Sequence, residues 1–182
     1  MRYLFVILAI CCIHITSSAQ SEEAWKLLEE GEALLGARDI EESKWKFQKS
    51  YQLFADEGNE LGLVKAAEGW GSAFAYAHQN DSAIIVLNSA IPVAELLEDN
   101  VLLGQLISVL ATVYKFTGQH KESIPLNKRV AEINKNRGEM ALYSSRLNHM
   151  ANSYAALLRY DSAEYFYQEA LRIKEEIKDS AF

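Results

Sequence analysis

Small and large positions recur along this chain every forty residues, and a fixed period of that size marks stacked copies of one supersecondary unit. Gly31, Gly71, Ala111 and Ala151 are small at steps of forty; three residues on, Leu34, Phe74, Tyr114 and Tyr154 are large. Nine further on, Ser43, Ala83, Ser123 and Ala163 are small again. Four beyond those stand Phe47, Leu87, Asn127 and Tyr167, and three beyond those Ser50, Ala90, Val130 and Ala170. A spacing of three keeps two residues on one face of a helix, and steps of four and three do the same for a second helix. The pattern predicts helical hairpins whose small residues let two helices approach while large ones fill the holes between them.

Eight helices follow, over about 22–36, 39–57, 60–78, 81–98, 101–117, 121–136, 139–158 and 161–178. Tight turns are read at Gln79-Asn80-Asp81, Gly118-Gln119-His120 and Arg159-Tyr160-Asp161. Asp81 and Asp161 are expected to cap the helices that follow them, with Glu164 completing a capping box. Pro92 falls inside the fourth helix and is expected to kink it, whereas Pro125 lies near the start of the sixth, where it is better tolerated.

The best copy of the unit, Ala151, Tyr154, Ala163, Tyr167 and Ala170, resembles the tetratricopeptide repeat. The other three copies follow the pattern more loosely: Asn127 replaces the aromatic of the third, and Ser43 and Ser50 stand where the first would carry alanine. Four copies in register, over about 21–59, 60–100, 101–138 and 139–178, cover residues 20–182 apart from the last few. The resemblance implies an all-α fold, a right-handed superhelical α-solenoid of four hairpins. Tetratricopeptide units are usually about 34 residues long, so each second helix is expected to run six residues longer here. Extended repeats of that kind occur in kinesin light chains, whose Leu-Asn-Asn-Leu-Ala stretch is similar to Leu147-Asn148-His149-Met150-Ala151.

The opening changes the picture of where such an array works. Behind Arg2, an apolar run from Tyr3 to Ile15 ends in Ser17-Ser18-Ala19. Thirteen residues are fewer than the roughly 18 to 20 that span a bilayer, and small residues at the end suit a signal peptidase. Residues 1–19 read as a signal peptide cleaved after Ala19, which predicts an exported, periplasmic or secreted protein with no stable membrane span after cleavage. Both cysteines, Cys11 and Cys12, leave with that segment, so no disulfide, zinc-thiolate site or cysteine nucleophile is expected afterwards. Residues 20–182 hold 17 basic and 25 acidic side chains, a balance of −8 that argues against a nucleic-acid partner.

Catalytic signatures fail. Gly69-Trp70-Gly71 imitates a dinucleotide loop, but the third glycine is missing and no strand precedes it, so these glycines read as packing positions. His78, His120 and His149 have no histidine or carboxylate four residues on, and neither metal nor cofactor is expected. What remains is a surface, because first helices of stacked hairpins line a concave groove. The tetratricopeptide register implies groove positions at Trp25, Leu28, Glu32 and Leu35, then Lys65, Glu68, Ser72 and Ala75. It continues with Gln105, Ser108, Thr112 and Lys115, then Ser145, Asn148, Asn152 and Ala155. Of these, Lys65, Ser72, Gln105, Ser108, Thr112, Asn148 and Asn152 are the candidate peptide-binding residues, since hydroxyl and amide groups suit an extended peptide. The carboxylate clamp of chaperone-binding relatives is not supported, because Leu28 and Glu32 occupy its positions in the first repeat.

The function expected is non-enzymatic binding of a protein or peptide partner. The alternative is the sensor portion of a bacterial histidine kinase or transcriptional regulator, cut before its output domain. Leu171, Ile173 and Tyr165 are expected to face outward from the last helix, ready to be covered by a second copy or by further chain.

Overall fold

The computed structural model of the chain describes residues 20–179, so the predicted signal peptide, residues 1–19, lies outside the described residues. Within them are eight helices and no strand: α1 (20–36), α2 (Ile40–Glu57), α3 (Glu60–Tyr76), α4 (Asn80–Leu96), α5 (Asn100–Phe116), α6 (His120–Asn136), α7 (Met140–Ala156) and α8 (Tyr160–Asp179). They fall into two compact units, one ending at Leu97 and the other starting at Glu98. Each unit holds two hairpins, and α3 also packs on α2, as α7 does on α6. The expected all-α array of hairpins is thus the fold, with helix ends within two residues of those read from the pattern.

Helices start every twenty residues, at Ile40, Glu60, Asn80, Asn100, His120, Met140 and Tyr160. The extra length of the unit is therefore shared between its helices rather than added to the second: α3, α4, α5, α6 and α7 are each 17 residues long. The stop signal sets this rhythm. Arg38, Gly58, His78, Glu98, Gly118, Gly138 and Leu158, again twenty apart, all take left-handed φ values between 54° and 76°. Around them the backbone closes on itself, as where Asp39 N–H donates to Leu34 O (2.9 Å) and Arg38 N–H to Leu35 O (3.1 Å). The same pair of bonds recurs at Gly58, His78, Gly118, Gly138 and Leu158, and satisfies carbonyls that the last helical turn leaves open.

Starts are less uniform. Asp39, Asn59 and Asp99 cap α2, α3 and α5 through their side chains, whereas Gln79, Gln119 and Glu139 make no such bond at α4, α6 and α7. Asp81 and Asp161 are not caps as expected. Each lies inside the first turn, where a carboxylate still meets the positive end of the helix dipole. Nor does Glu164 form a capping box, since its carboxylate accepts from Gln168 Nε2 at 2.9 Å. Pro92 is exposed, and α4 continues past it to Leu96.

Packing within the first unit rests on large side chains seated on glycines. Phe47 of α2 is fully buried against Gly31 of α1 and Gly69 of α3, where an added β-carbon would lie 3.0 and 2.3 Å from its ring. Gly62 receives Phe54 and Gly71 receives Leu87 in the same way, with β-carbon distances of 2.3 and 2.6 Å. Gly69 and Gly71 are thus packing positions, as expected. Serines at the small positions do more than save space. Ser43 Oγ donates to Gly31 O (3.1 Å), and two repeats later Ser123 Oγ donates in the same way to Ala111 O (2.9 Å). Ser50 bonds Ala24 O at 2.8 Å and Ser144 bonds Ala170 O at 2.9 Å, each tying one helix to another.

In the second unit Asn127, at the site of Phe47, is buried against Ser123, to whose carbonyl and hydroxyl its Nδ2 donates at 3.0 and 3.1 Å. Two sequence expectations change here. Ile173 does not face outward: it is 1% exposed, packed with Leu147, Met150 and Ala170, because residue 173 follows Ala170 by three and stays on its inward face. Leu171 and Tyr165 do face solvent, at 56% and 63% exposure. In the first unit Leu28 is likewise no groove residue, being 3% exposed in the cluster of Ala24, Phe47 and Phe54.

Two substitutions test these devices by chemical denaturation. Leu158 is exposed and carries the steric cost of a left-handed backbone, so Leu158→Gly should raise stability by about 1 kcal/mol. Gly69→Ala should lower it by about 1 to 3 kcal/mol by displacing the Phe47 ring, whereas Gly36→Ala, with nothing within 4 Å of the added carbon, should not. Equal midpoints for the two alanine variants would contradict the glycine-seat account.

Candidate peptide-binding site

The seven candidate residues fall into two sets, one per unit. Lys65 and Ser72 lie on α3 in the first unit, and Gln105, Ser108, Thr112, Asn148 and Asn152 lie on α5 and α7 in the second. Spacings of three and four place each set on one stripe of its helix, and none of the seven is buried.

The first unit brings two carboxylates to this stripe. A cavity of about 330 Å³ is lined by Glu32, Leu35, Glu68, Ser72 and Tyr76 among others. Ser72 Oγ donates to Glu68 Oε1 at 3.3 Å. Burial pushes the Glu68 carboxyl above the usual range, the Ser72 bond opposes this, and the nearby Glu32 charge adds to the rise. Lys65 is exposed, with its ammonium 5.5 Å above the Trp25 ring, and Trp25 is itself held edge-on by Phe54 at 4.8 Å.

In the second unit the polar groups divide their hydrogen-bonding capacity. Ser108 Oγ donates to Gly104 O (2.5 Å) and Thr112 Oγ1 to Ser108 O (2.8 Å), so both hydroxyls turn acceptor lone pairs outward. Asn152 is exposed, and its Oδ1 accepts from the Tyr167 hydroxyl at 2.6 Å, which leaves the amide NH2 to donate. Asn148, half-buried one turn away, has both its donor and its acceptor unused among the described residues, and Gln105 is exposed at the start of the stripe.

Along α5 and α7 the charge is of one sign. Neither α5 nor α7 contains an aspartate or glutamate, and their basic side chains are Lys115, Arg146 and His149. Burial pulls the Arg146 guanidinium below the ordinary arginine range, and its Nε is buried without a hydrogen-bond partner. His149 is held below the usual histidine range first by burial, then by the Arg146 and Lys115 charges. Arg146 and His149 were not among the sequence candidates, because the repeat register does not count their positions among those of the groove. The signal that could have found them is the lack of acid over 100–116 and 140–156 in a chain with 25 acidic residues. Among the described residues no group of histidine, cysteine, aspartate and glutamate is arranged to hold a metal ion, and no helix is long and apolar enough to cross a membrane.

A family model described as tetratricopeptide repeat matches residues 144–177, which are most of α7 and α8. Residues 144–177 thus match one tetratricopeptide repeat, and the chain as a whole is a helical repeat array. No curated protein sequence matches it. Among solved structures the array is similar to BtubC (BKLC) from P. vanneervenii, with a TM-score of 0.79 and 13% identity over 85% of this chain. Aspartyl phosphate phosphatase F from Bacillus subtilis superposes with a TM-score of 0.78 and 16% identity over 88% of this chain. A Podosopora anserina protein of nearly identical TPR-like repeats, assigned to the kinesin light chains, gives 0.75 and 14% over 86% of this chain and 77% of its own. The array spans 64% of the BtubC chain and 42% of the phosphatase chain, and at such identities the likeness shows the fold. Tetratricopeptide repeats typically mediate protein-protein interaction.

Proposed function

We propose that the protein is an extracytoplasmic, non-enzymatic scaffold that binds an extended peptide segment of a partner along α5 and α7. One observation carries this reading: the stripe of Ser108, Thr112, Asn148 and Asn152 offers outward acceptors and donors at helical spacing, with Asn148 unused by the fold. An extended peptide alternates N–H and C=O groups and can use both kinds. Export rests on the opening segment of Arg2, the apolar run to Ile15 and Ser17-Ser18-Ala19. N-terminal sequencing of the protein from its native host should find Gln20 first, and recovery of Met1 would reject cleavage.

Binding is tested by capture from the native envelope followed by measurement with the retained partner. Asn148→Ala should weaken that binding by about fivefold, one hydrogen bond to a desolvated peptide group being worth on the order of 1 kcal/mol. Its thermal stability should be that of the wild type, since Asn148 holds nothing else. Asn152→Ala is a less clean probe, because it also removes the acceptor of the Tyr167 hydroxyl. Unchanged affinity in the Asn148 variant would reject the α5 and α7 stripe as the binding face.

A further inference from the structure

We infer that Arg146, flanked by His149 and Lys115, is a docking point for the carboxylate side chains of an acidic segment in the bound partner. The inference rests on the proposed peptide-binding stripe and adds the chemistry that selects its ligand. Its ground is a comparison within the molecule. Arg137 pairs with Glu139, Arg172 with Glu169 and Glu176, Arg38 stacks on Tyr76, Arg159 on Tyr154, and Arg129 is also engaged. Arg146 has neither a carboxylate nor a ring among the described residues, although it is partly buried and its Nε is removed from water with no acceptor.

A donor desolvated without a partner costs free energy, and a guanidinium without a counter-charge costs more. That cost is recovered when a carboxylate arrives, because the planar fork of arginine binds both carboxylate oxygens at once. Arg146 and His149 are three residues apart on α7 and share a face. Lys115 comes from the last turn of α5, close enough for its charge to be felt at His149. Three cationic or protonatable groups exceed what a single chain end would neutralise, which favours side chains of an acidic run over one terminal carboxylate.

His149 supplies a readout specific to this arrangement. In the free protein burial, Arg146 and Lys115 all disfavour its protonated form, and no charged group of α6 or α8, the helices packed on α7, acts on it. A bound carboxylate would oppose all three influences. Its pKa should therefore rise on binding, and binding should take up protons and strengthen as pH falls from about 8 towards 6.

The test uses the full chain and two blocked peptides, hexaglutamate and hexaglutamine, each acetylated and amidated so that no terminal charge remains. At about 20 mM salt the wild type should bind hexaglutamate and not hexaglutamine, and about 200 mM salt should weaken the complex. Arg146→Gln should lower affinity by about tenfold or more, Arg146→Lys should fall between, and Lys128→Gln, exposed on α6, should have no effect. Imidazole proton shifts should show the His149 titration moving upward with hexaglutamate present. Equal binding of the two peptides, wild-type affinity in Arg146→Gln, or an unmoved His149 titration would each overturn the inference. With the captured partner, weakening by Asn148→Ala but not by Arg146→Gln would overturn it while leaving the peptide-binding stripe in place.

Discussion

Close approach of paired helices through small residues is the constraint on which the rest of this molecule depends. Phe47 can be fully buried only because Gly31 and Gly69 leave room on two different helices for one ring. A methyl group at either position would push the ring or a backbone, and interiors packed at crystal-like density have little slack to absorb it. Serine hydroxyls then fasten what the glycines allow, donating to carbonyls of the facing helix at Ser43, Ser50, Ser123 and Ser144. These bonds use carbonyls already engaged in a helix, exploiting their second lone pair, so a polar atom is buried without being left unsatisfied.

The same economy is incomplete in the second unit. Asn127 fills the place that Phe47 takes in the first, and its Oδ1 is buried with no donor, as is the Ser153 hydroxyl. A larger residue on the facing helix, Ala111 in place of Gly31, goes with the smaller side chain at 127. Size complementarity across the hairpin is thus kept, while polar satisfaction is partly given up.

Fixed hairpins turn one stripe of each first helix away from the core, and the two units have filled theirs differently, with carboxylates beside cations in the first and cations alone in the second. Glu32 and Glu68 line the cavity of the first unit; Lys115, Arg146 and His149 mark the second. The buried contacts run chiefly through glycine, alanine, serine and large apolar groups. Partly burying a charge without an internal partner is unfavourable for stability, as the upward shift at Glu68 and the downward shift at Arg146 both register. Charges kept under those conditions suit ligands, and they differ from the solvated pairs of α8, where Arg172 sits between Glu169 and Glu176.

Helical periodicity is a local property, and the sequence by itself determined what depends on it: eight helices, their pairing into hairpins, and the small and large positions that meet between them. Side-chain size at a period of forty residues carries that information without reference to anything distant. Tertiary structure decided matters in which a neighbour from another helix sets the outcome. Only packing shows that Leu28 and Ile173 face inward, that Ser43 is a fastener, and that Tyr167 occupies the carbonyl of Asn152. The turn register belongs to the same class, because the left-handed residue at each twentieth position is arginine, histidine, glutamate or leucine in four cases and glycine in three. Arg146 is the sharpest case: one arginine in a helix says nothing of its partners, and the want of a carboxylate beside it follows from every element packed around it.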